Sequence, residues 1–289
     1  MGYKKPTEVS RMFLENASLP NHADSYTVIS HKFVMDNTTK LLTDSGFKIT
    51  KEVFRANQGA NVAQGIYYIT PSTLDSEINN ESELGMMFAW TNSYDKSIRF
   101  QCSIGAYVMV CNNGMVCGEM NFSRKHTGTA DLDIISQISS QIKNAEKTFK
   151  RILADRDNLK NIELSKKQQA ELAGRLYYEH EILEPTQLTI IKSEMEKASF
   201  DYSVDQTNAW AFYNHVTHAL KKTHPRSWLS NTKEFHDFIT VEFLSNNNFT
   251  NNDSIKIADF DVLIDESHLV EVDFESTFAA MELSKMMLE

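Results

Sequence analysis

The stretch WTNSYDKSIRFQCSIGAYVMVCNNGMVCGE, from Trp90 to Glu119, indicates the fold of this chain. It contains two apolar, β-branched runs with glycine and asparagine between them, a pattern typical of neighbouring antiparallel strands. Asn112, Asn113 and Gly114 tolerate the positive φ angles of a tight hairpin turn. The stretch therefore predicts a hairpin within a mainly antiparallel sheet.

Further strand patterns precede this stretch. FKITKEVFRAN and AQGIYYIT are separated by the turn-forming NQGAN and predict a second hairpin, and MMFAWTN supplies another strand. YTVIS, from Tyr26 to Ser30, predicts a short strand, and KFVMDNTTKLLTDSG predicts a helix that ends at Gly46. We therefore expect a sheet of about five strands in the N-terminal half.

The pattern becomes helical from Asp131 onward. Apolar residues recur at spacings of three, four and seven, which is a heptad seam: Ile135, Ile138, Ile142, Ala145, Phe149, Ile152 and Leu159. The seam is longer than a helix needs for packing on a small sheet, so we expect a homo-oligomer. Further helices are predicted over residues 165–183, 186–198, 207–222 and 232–244.

The expected fold class is α+β, and the 289 residues, 41% of them hydrophobic, are enough for a large core. Residues 1–128 form the sheet-rich half of a core domain and residues 129–244 its helical half. Residues 245–289 form an Asn-rich linker, which begins with SNNNFTNNDS, and an acidic tail with a terminal amphipathic helix.

Charge is distributed unevenly along the chain. The formal net charge is −10, yet residues 1–128 hold 12 basic and 12 acidic side chains and residues 129–234 hold 15 of each. The whole imbalance lies in residues 235–289, with 2 basic and 12 acidic side chains. Net charge therefore does not repel the body from nucleic acid, although it would repel the tail.

The compartment is inferred from cysteine usage and from the N-terminus. Three cysteines are an odd number in so long a chain and fit a reducing compartment. The sequence MGYKKPTEVS lacks the apolar segment of a signal peptide, and no apolar run is long enough to span a membrane. We therefore expect a cytoplasmic protein without a membrane partner.

The opening stretch also raises the question of a metal or nucleophile site. Cys111 and Cys117 flank the hairpin turn and His126 follows, so a zinc site, a cysteine nucleophile and plain scaffolding are all open. Zinc normally needs four ligands and a cysteine nucleophile needs an electropositive pocket. We favour scaffolding, in which a cysteine packs as a small hydrophobic residue.

The helical half offers a second possible metal site. His215 and His218 could share a metal with His224 or His236, but Trp210 belongs to an aromatic stripe that favours a core-facing helix. No phosphate-binding loop, nucleophile elbow or metalloprotease helix is present in the sequence. We therefore expect no metal and no cofactor, and an enzymatic activity has no support.

Three motifs in order resemble a known family. These are WTNSYDKSIRFQCSIGAYVMVCNNGM, then RKHTG, then NAWAFYNHVTHAL from Asn208 to Leu220. Together they resemble the phage and plasmid proteins of domain-of-unknown-function family 932, over about residues 25–225. The resemblance implies a protein of a mobile element and no particular activity.

One functional hypothesis is that the chain binds single-stranded DNA in replication or recombination, with the tail recruiting partners. Single-strand binders combine basic and aromatic groups on strands. The candidate residues are Lys48, Lys51, Arg55, Tyr67, Tyr68, Arg99, Arg124, Lys125 and His126. The same residues could instead be solvated edge residues that discourage strand pairing.

The alternative hypothesis is a phage protein that binds and inhibits or redirects a host enzyme, such as a defence nuclease. The acidic tail interleaves carboxylates with apolar residues and could dock on a basic groove. The predicted contacts of its terminal helix are Phe274, Phe278, Met281, Met286 and Met287. That helix could equally pack on its own body or on a neighbouring subunit.

Overall fold

The computed structural model describes residues 7–20, 28–72, 81–116, 121–122, 130–201 and 207–244. The described residues belong to one compact unit, and residues 247–289 lie outside the described ranges. The predicted α+β organisation is confirmed, with an antiparallel sheet in the N-terminal half and helices in the C-terminal half. The predicted acidic extension, with the amphipathic helix expected at its end, lies outside the described residues.

The described part of the sheet contains seven strands, two more than the sequence predicts. Neighbouring strands are antiparallel and follow the order β1-β2-β3-β4-β5-β6, with β7 beside β5. The strands are β1 (Thr7–Val9), β2 (Phe47–Ala56), β3 (Val62–Pro71), β4 (Leu84–Ser93), β5 (Gln101–Val108), β6 (Asn113–Val116) and β7 (Asn121–Phe122). The short strands β1 and β7 are the additional ones.

Most helices follow in the second half of the chain. They are α1 (Arg11–Glu15), α2 (His31–Asp44), α3 (Ala130–Lys143), α4 (Ala145–Lys160), α5 (Lys166–Tyr178), α6 (Pro185–Glu196), α7 (Ala209–Leu220) and α8 (Pro225–Ile239), followed by a π-helical turn (Thr240–Leu244). None of these described helices is long and apolar enough to cross a membrane.

Several predicted elements differ from the structure. The hairpin turn expected at Asn112, Asn113 and Gly114 lies at residues 109–112, since Asn113 and Gly114 belong to β6, and the helix predicted over 165–183 ends at Tyr178. Residues 28–30 of the predicted strand 26–30 are not a strand, because the Ser30 hydroxyl accepts a hydrogen bond from the Phe33 amide and caps α2. Residues 26 and 27 lie outside the described residues. The helix predicted over 232–244 begins earlier, at Pro225, since proline fits the first helical turn, where its missing N–H is not needed.

The heptad seam is buried inside the chain itself. It divides between α3 and α4, and all of its side chains except that of Ile135, which is partly exposed, pack in the core beneath the sheet, with Ile138, Phe149 and Ile152 at most 1% exposed. The Gln141 side-chain carbonyl also accepts a hydrogen bond from the Ile104 amide of β5 at 3.1 Å. The seam is therefore not available as an oligomer interface, and the homo-oligomer stays a prediction without this support.

Helices pack on both sides of the sheet. On one side, which we call the inner face, Tyr67, Phe88 and Trp90 belong to the large core that includes α2, α3 and α4. On the other side, the α8 face, Trp228 packs in a smaller cluster with Ile66. A Cβ at Gly114 would lie 2.7 Å from the Trp228 ring, so glycine at this position lets α8 approach the sheet closely.

Candidate nucleic-acid interface

Lys48 and Lys51 project from the α8 face near the start of β2. In a regular strand, residues three apart point to opposite faces. The strand register shifts between Ile49 and Lys51, so that Lys48 pairs with Thr70 and Lys51 pairs with Tyr68, two residues earlier on β3. This β-bulge brings both lysines to the same face, where both are exposed.

Two tyrosines lie beside these lysines. The Lys51 ammonium is 5.5 Å from the centroid of the Tyr68 ring, and the Tyr68 and Tyr107 rings meet edge to face with centroids 4.5 Å apart. Tyr107 reaches across β4 because Gly85 has no side chain: a Cβ there would lie 2.4 Å from the Tyr107 ring. We call Lys48, Lys51, Tyr68 and Tyr107 the lysine–tyrosine strip.

Exposure differs within the strip. Tyr68 is 8% exposed, whereas Tyr107 is partly exposed and burial raises its pKa. Neither lysine forms an ion pair with another residue that the structure describes. The strip therefore presents two exposed ammonium groups and the partly exposed ring of Tyr107 to a ligand. The sequence analysis did not identify Tyr107. The available indication was that Tyr107 alternates along β5 with the buried apolar residues Ala106 and Val108.

A groove of about 750 Å³ borders the strip along the outer edge of β2. Strand β1 pairs with β2 only from Phe54 to Ala56, so no other described strand covers the first half of that edge. Four hydroxyl side chains, two lysines, two apolar residues and one carboxylate line the groove: Thr39, Thr43, Thr50, Ser72, Lys48, Lys51, Phe47, Ile49 and Glu52. The Glu52 carboxylate pairs with Arg11 at 3.1 Å, which leaves the lysine charge uncompensated within the groove.

Tyr67 does not belong to this surface. Its ring is 0% exposed on the inner face and packs edge to face against Phe54 and Phe88, with centroid distances of 5.9 and 6.4 Å. Burial raises the pKa of its hydroxyl. A base has no access to this ring, so the stacking role expected for Tyr67 is incompatible with the structure. The sequence YYIT places one tyrosine on each face of the sheet.

Arg55 lies on the α8 face but is bound internally. Its guanidinium donates to the backbone carbonyls of Lys221 and Thr223, at 3.3 and 2.8 Å, and to the Gln64 side-chain carbonyl at 3.2 Å. Burial lowers its pKa. The phosphate contact expected for Arg55 is therefore replaced by a structural contact that joins the sheet to the α7–α8 connection.

Among the remaining predicted DNA contacts, only Arg99 lies in the described residues, and it is not part of the strip. Arg99 is exposed, but it lies eight residues before Tyr107, which is about 26 Å along an extended strand. Arg124, Lys125 and His126 lie outside the described residues. The same holds for the predicted partner contacts of the tail: Phe274, Phe278, Met281, Met286 and Met287.

The two described cysteines are buried and reduced. Cys102 and Cys111 are both free thiols, and burial raises the pKa of each. A raised pKa keeps the thiol protonated and therefore weakly nucleophilic. Cys117 lies outside the described residues, so its proximity to Cys111 stays a prediction.

A buried carboxylate joins the two histidines of α7. One Glu194 oxygen lies 3.9 Å from His215 Nδ1, and the other lies 3.9 Å from His218 Nε2. Burial lowers the pKa of His215 to about 4, so the ring is neutral at physiological pH. Glu194 also accepts hydrogen bonds from the amide and hydroxyl of Ser199, which ties the end of α6 to this cluster.

Metal binding has no geometric basis in the part of the chain that the structure describes. No group of three or more histidine, cysteine, aspartate or glutamate side chains among those residues is arranged to hold a metal ion. His224 is the N-cap of α8, where its Nδ1 accepts from the Arg226 amide at 3.1 Å. His236 instead contacts the Tyr213 hydroxyl at 3.1 Å. Of these four candidate ligands, His215 and His218 therefore share Glu194, whereas His224 and His236 have separate surroundings.

Comparison with known proteins gives one match. The family described as "Domain of unknown function (DUF932)" matches residues 19–254, which is more than half of the chain. No curated protein matches the chain, and no solved structure matches it.

Proposed function

The chain belongs to the DUF932 family, whose description names no activity, and from the geometry we propose that it binds single-stranded DNA without catalysing a reaction on it. The observation that supports this function is the lysine–tyrosine strip. Two lysines without described ion-pair partners lie beside a partly exposed tyrosine on one end of a sheet face. Single-strand binders combine these two groups, one for phosphates and one for bases.

The strip has dimensions suited to a short stretch of strand. It extends from β2 to β5 across three strand spacings, or about 14 Å at ~4.8 Å each. Lys48 and Lys51 at the sheet edge would neutralise phosphates, and the hydroxyl-lined groove beside them would accept the sugar–phosphate backbone. Tyr107, rather than Tyr67, supplies the aromatic contact. Each step uses groups that already reach solvent in this fold.

The biological setting is also a proposal. Because the motifs resemble proteins of phages and plasmids, we place this binding in the replication or recombination of a mobile element, in the cytoplasm of a host cell. The alternative, inhibition or redirection of a host enzyme through the acidic tail, depends on residues outside the described ranges and stays a prediction. So does recruitment of a partner by that tail.

The test is the salt dependence of binding to a fluorescein-labelled oligothymidylate of about 20 nucleotides, measured by anisotropy. Wild-type protein should bind at low salt and lose affinity steeply toward physiological salt. The double variant Lys48→Glu/Lys51→Glu should bind more weakly, and its salt slope should fall by about 1.4, because a contact with a single strand contributes roughly 0.7.

The matched control is Lys166→Glu/Lys167→Glu, which changes the net charge equally at two exposed lysines of α5. This control should keep the wild-type salt slope. If both double variants lose affinity to the same degree, the lysines act only through net charge and the site is wrong. Absence of binding by wild-type protein at low salt would exclude the function itself.

A further inference from the structure

The hairpin between β5 and β6 carries an unusual tip. Turn positions are normally occupied by glycine, asparagine, aspartate or serine, which suit turn geometry and solvent. Here the first two positions after β5 are Met109 and Val110, and they are 43% and 55% exposed. Two adjacent apolar side chains of this size at a turn lose favourable burial unless a partner covers them.

This tip is held firmly in place. The Met109 amide donates to the Glu83 carbonyl at 2.9 Å, which continues the pairing of β5 with β4. The Asn112 amide donates to the Val108 carbonyl at 2.7 Å, and Asn112 adopts a positive φ of 56° that closes the turn. The Lys221 ammonium, from the end of α7, donates to the Cys111 carbonyl.

Ion pairs between the residue before β4 and α4 also stabilise the strand end next to the tip. The Glu83 carboxylate pairs with Lys160 at 2.6 Å and with Arg156 at 3.3 Å, so α4 holds the strand end on which Met109 rests. The backbone of the tip is thereby fixed from β4 and from α7. The tip therefore presents its two apolar side chains from a supported backbone.

The tip adjoins the lysine–tyrosine strip directly. Met109 follows Tyr107 by two residues while the strand pairing continues, and alternate residues of a strand share a face. The partly exposed tyrosine therefore lies between the lysines of β2 and the apolar tip. Cations, an aromatic ring and an apolar projection occur in that order across one end of the sheet.

An apolar side chain on a rigid support, next to a site for phosphates and bases, can enter a base step. Proteins insert methionine, leucine, isoleucine or phenylalanine between bases and unstack them, at a cost of a few kcal/mol that the surrounding contacts offset. We propose that Met109 and Val110 form a wedge that enters the base step at a junction between single-stranded and double-stranded DNA. This inference rests on the proposed function and narrows its substrate class.

The strip and the tip would contact different parts of the junction. The single-stranded arm would lie on Lys48, Lys51 and Tyr107, and the last base pair of the duplex would meet the apolar tip. An end pair is the least costly to unstack because it has a stacking neighbour on one side only. The wedge therefore favours a junction over both a continuous duplex and a single strand.

The experiment uses the full-length protein and forked DNA with about 15 base pairs and a single-stranded arm of about 10 nucleotides. 2-Aminopurine replaces an adenine at the junction, since its fluorescence rises on unstacking. Wild-type protein should bind the fork about tenfold more tightly than the arm alone and should raise the fluorescence. The variant Met109→Ser/Val110→Ser should still bind the arm. It should bind the fork no more tightly than the arm and should leave the 2-aminopurine fluorescence unchanged.

Val241→Ser, at a valine that is 67% exposed in the π-helical turn, is the matched control and should behave like wild type. Fork preference that persists in the tip variant would overturn the inference, and so would wild-type protein that binds the arm and the fork equally. Retention of wild-type protein, but not of the tip variant, on phosphatidylcholine vesicles without fork preference would assign the tip to lipid and overturn it as well. If wild-type protein binds neither DNA, the proposed function itself fails.

Discussion

The sheet contains two pairs of a β2 cation and a tyrosine, one buried or bound internally and one accessible, and they differ in what surrounds these residues. In the first, Arg55 donates to backbone carbonyls and Tyr67 is fully buried. In the second, Lys51 reaches solvent and Tyr107 is partly exposed. The helices packed over the sheet, and not the residue types, therefore separate structural groups from available ones.

The cation contrast has a simple cause. Arg55 and Lys51 project from the same face of β2, but Arg55 lies under the connection between α7 and α8. The last carbonyls of a helix lack partners within it, and a guanidinium is well suited to satisfy several of them at once. Lys51 has no such carbonyl partner among the described residues, and its ammonium lies 5.5 Å from the centroid of the Tyr68 ring.

The largest difference should appear in stability when the two tyrosines are truncated. Tyr67→Ala removes a fully buried aromatic ring and should lower the free energy of unfolding by about 3–5 kcal/mol. Tyr107→Ala removes a partly exposed ring and should cost clearly less. Chemical denaturation followed by circular dichroism measures both values.

Tyr67→Phe is the control for this prediction, because it retains the ring and its packing against Phe54 and Phe88. It should cost less than about 1.5 kcal/mol, and it remains measurable even if Tyr67→Ala does not fold. A Tyr107→Ala protein less stable than the Tyr67→Ala protein would reverse the assignment of the two rings to their faces.

The sequence could predict the sheet, most of the helices and the two exposed lysines, because each depends on local patterns. Alternation in AQGIYYIT identifies a strand, but a strand flanked by helices on both sides is apolar throughout, so alternation cannot say which tyrosine reaches solvent. The bulge that aligns Lys48 with Lys51 likewise has no local signature: it becomes visible only in the pairing with β3.

Tertiary contacts explain the other differences. The heptad from Ile135 to Leu159 is real as a pattern, but its apolar residues from Ile138 onward are buried in the core of the same chain. The apolar residues of a heptad seam can be buried against a sheet as well as against a second helix. The sequence alone does not distinguish these two packing partners. Arg55 could not be recognised as structural, since its carbonyl partners lie more than 160 residues further along the chain.

A smaller effect, again on stability, should separate the two cations. Arg55→Ala leaves the carbonyls of Lys221 and Thr223 without their charged donor and should destabilise the fold by about 2–3 kcal/mol. Lys51→Ala, at an exposed position, should stay within about 0.5 kcal/mol. Thermal and chemical denaturation of the two single variants test this contrast directly.

DNA affinity should show the opposite order for the same two variants. Lys51→Ala should weaken binding to oligothymidylate and reduce the salt slope by about 0.7, whereas folded Arg55→Ala should keep the wild-type slope. Measurements below the unfolding temperature of Arg55→Ala keep the two effects apart. A loss of salt slope in Arg55→Ala equal to that of Lys51→Ala would mean that the guanidinium leaves its carbonyls to meet phosphate.

The smallest effect expected is on affinity, from the ring of Tyr107. Tyr107→Ala should weaken binding to oligothymidylate by on the order of 1 kcal/mol, roughly fivefold, the lower end of the range for base stacking because the ring is only partly exposed. The salt slope should not change, since stacking releases no counterions, and Tyr107→Phe should bind like wild type. If Tyr107→Phe loses as much affinity as Tyr107→Ala, the contact is a hydrogen bond from the hydroxyl; if neither variant loses affinity, the strand contacts the lysines alone.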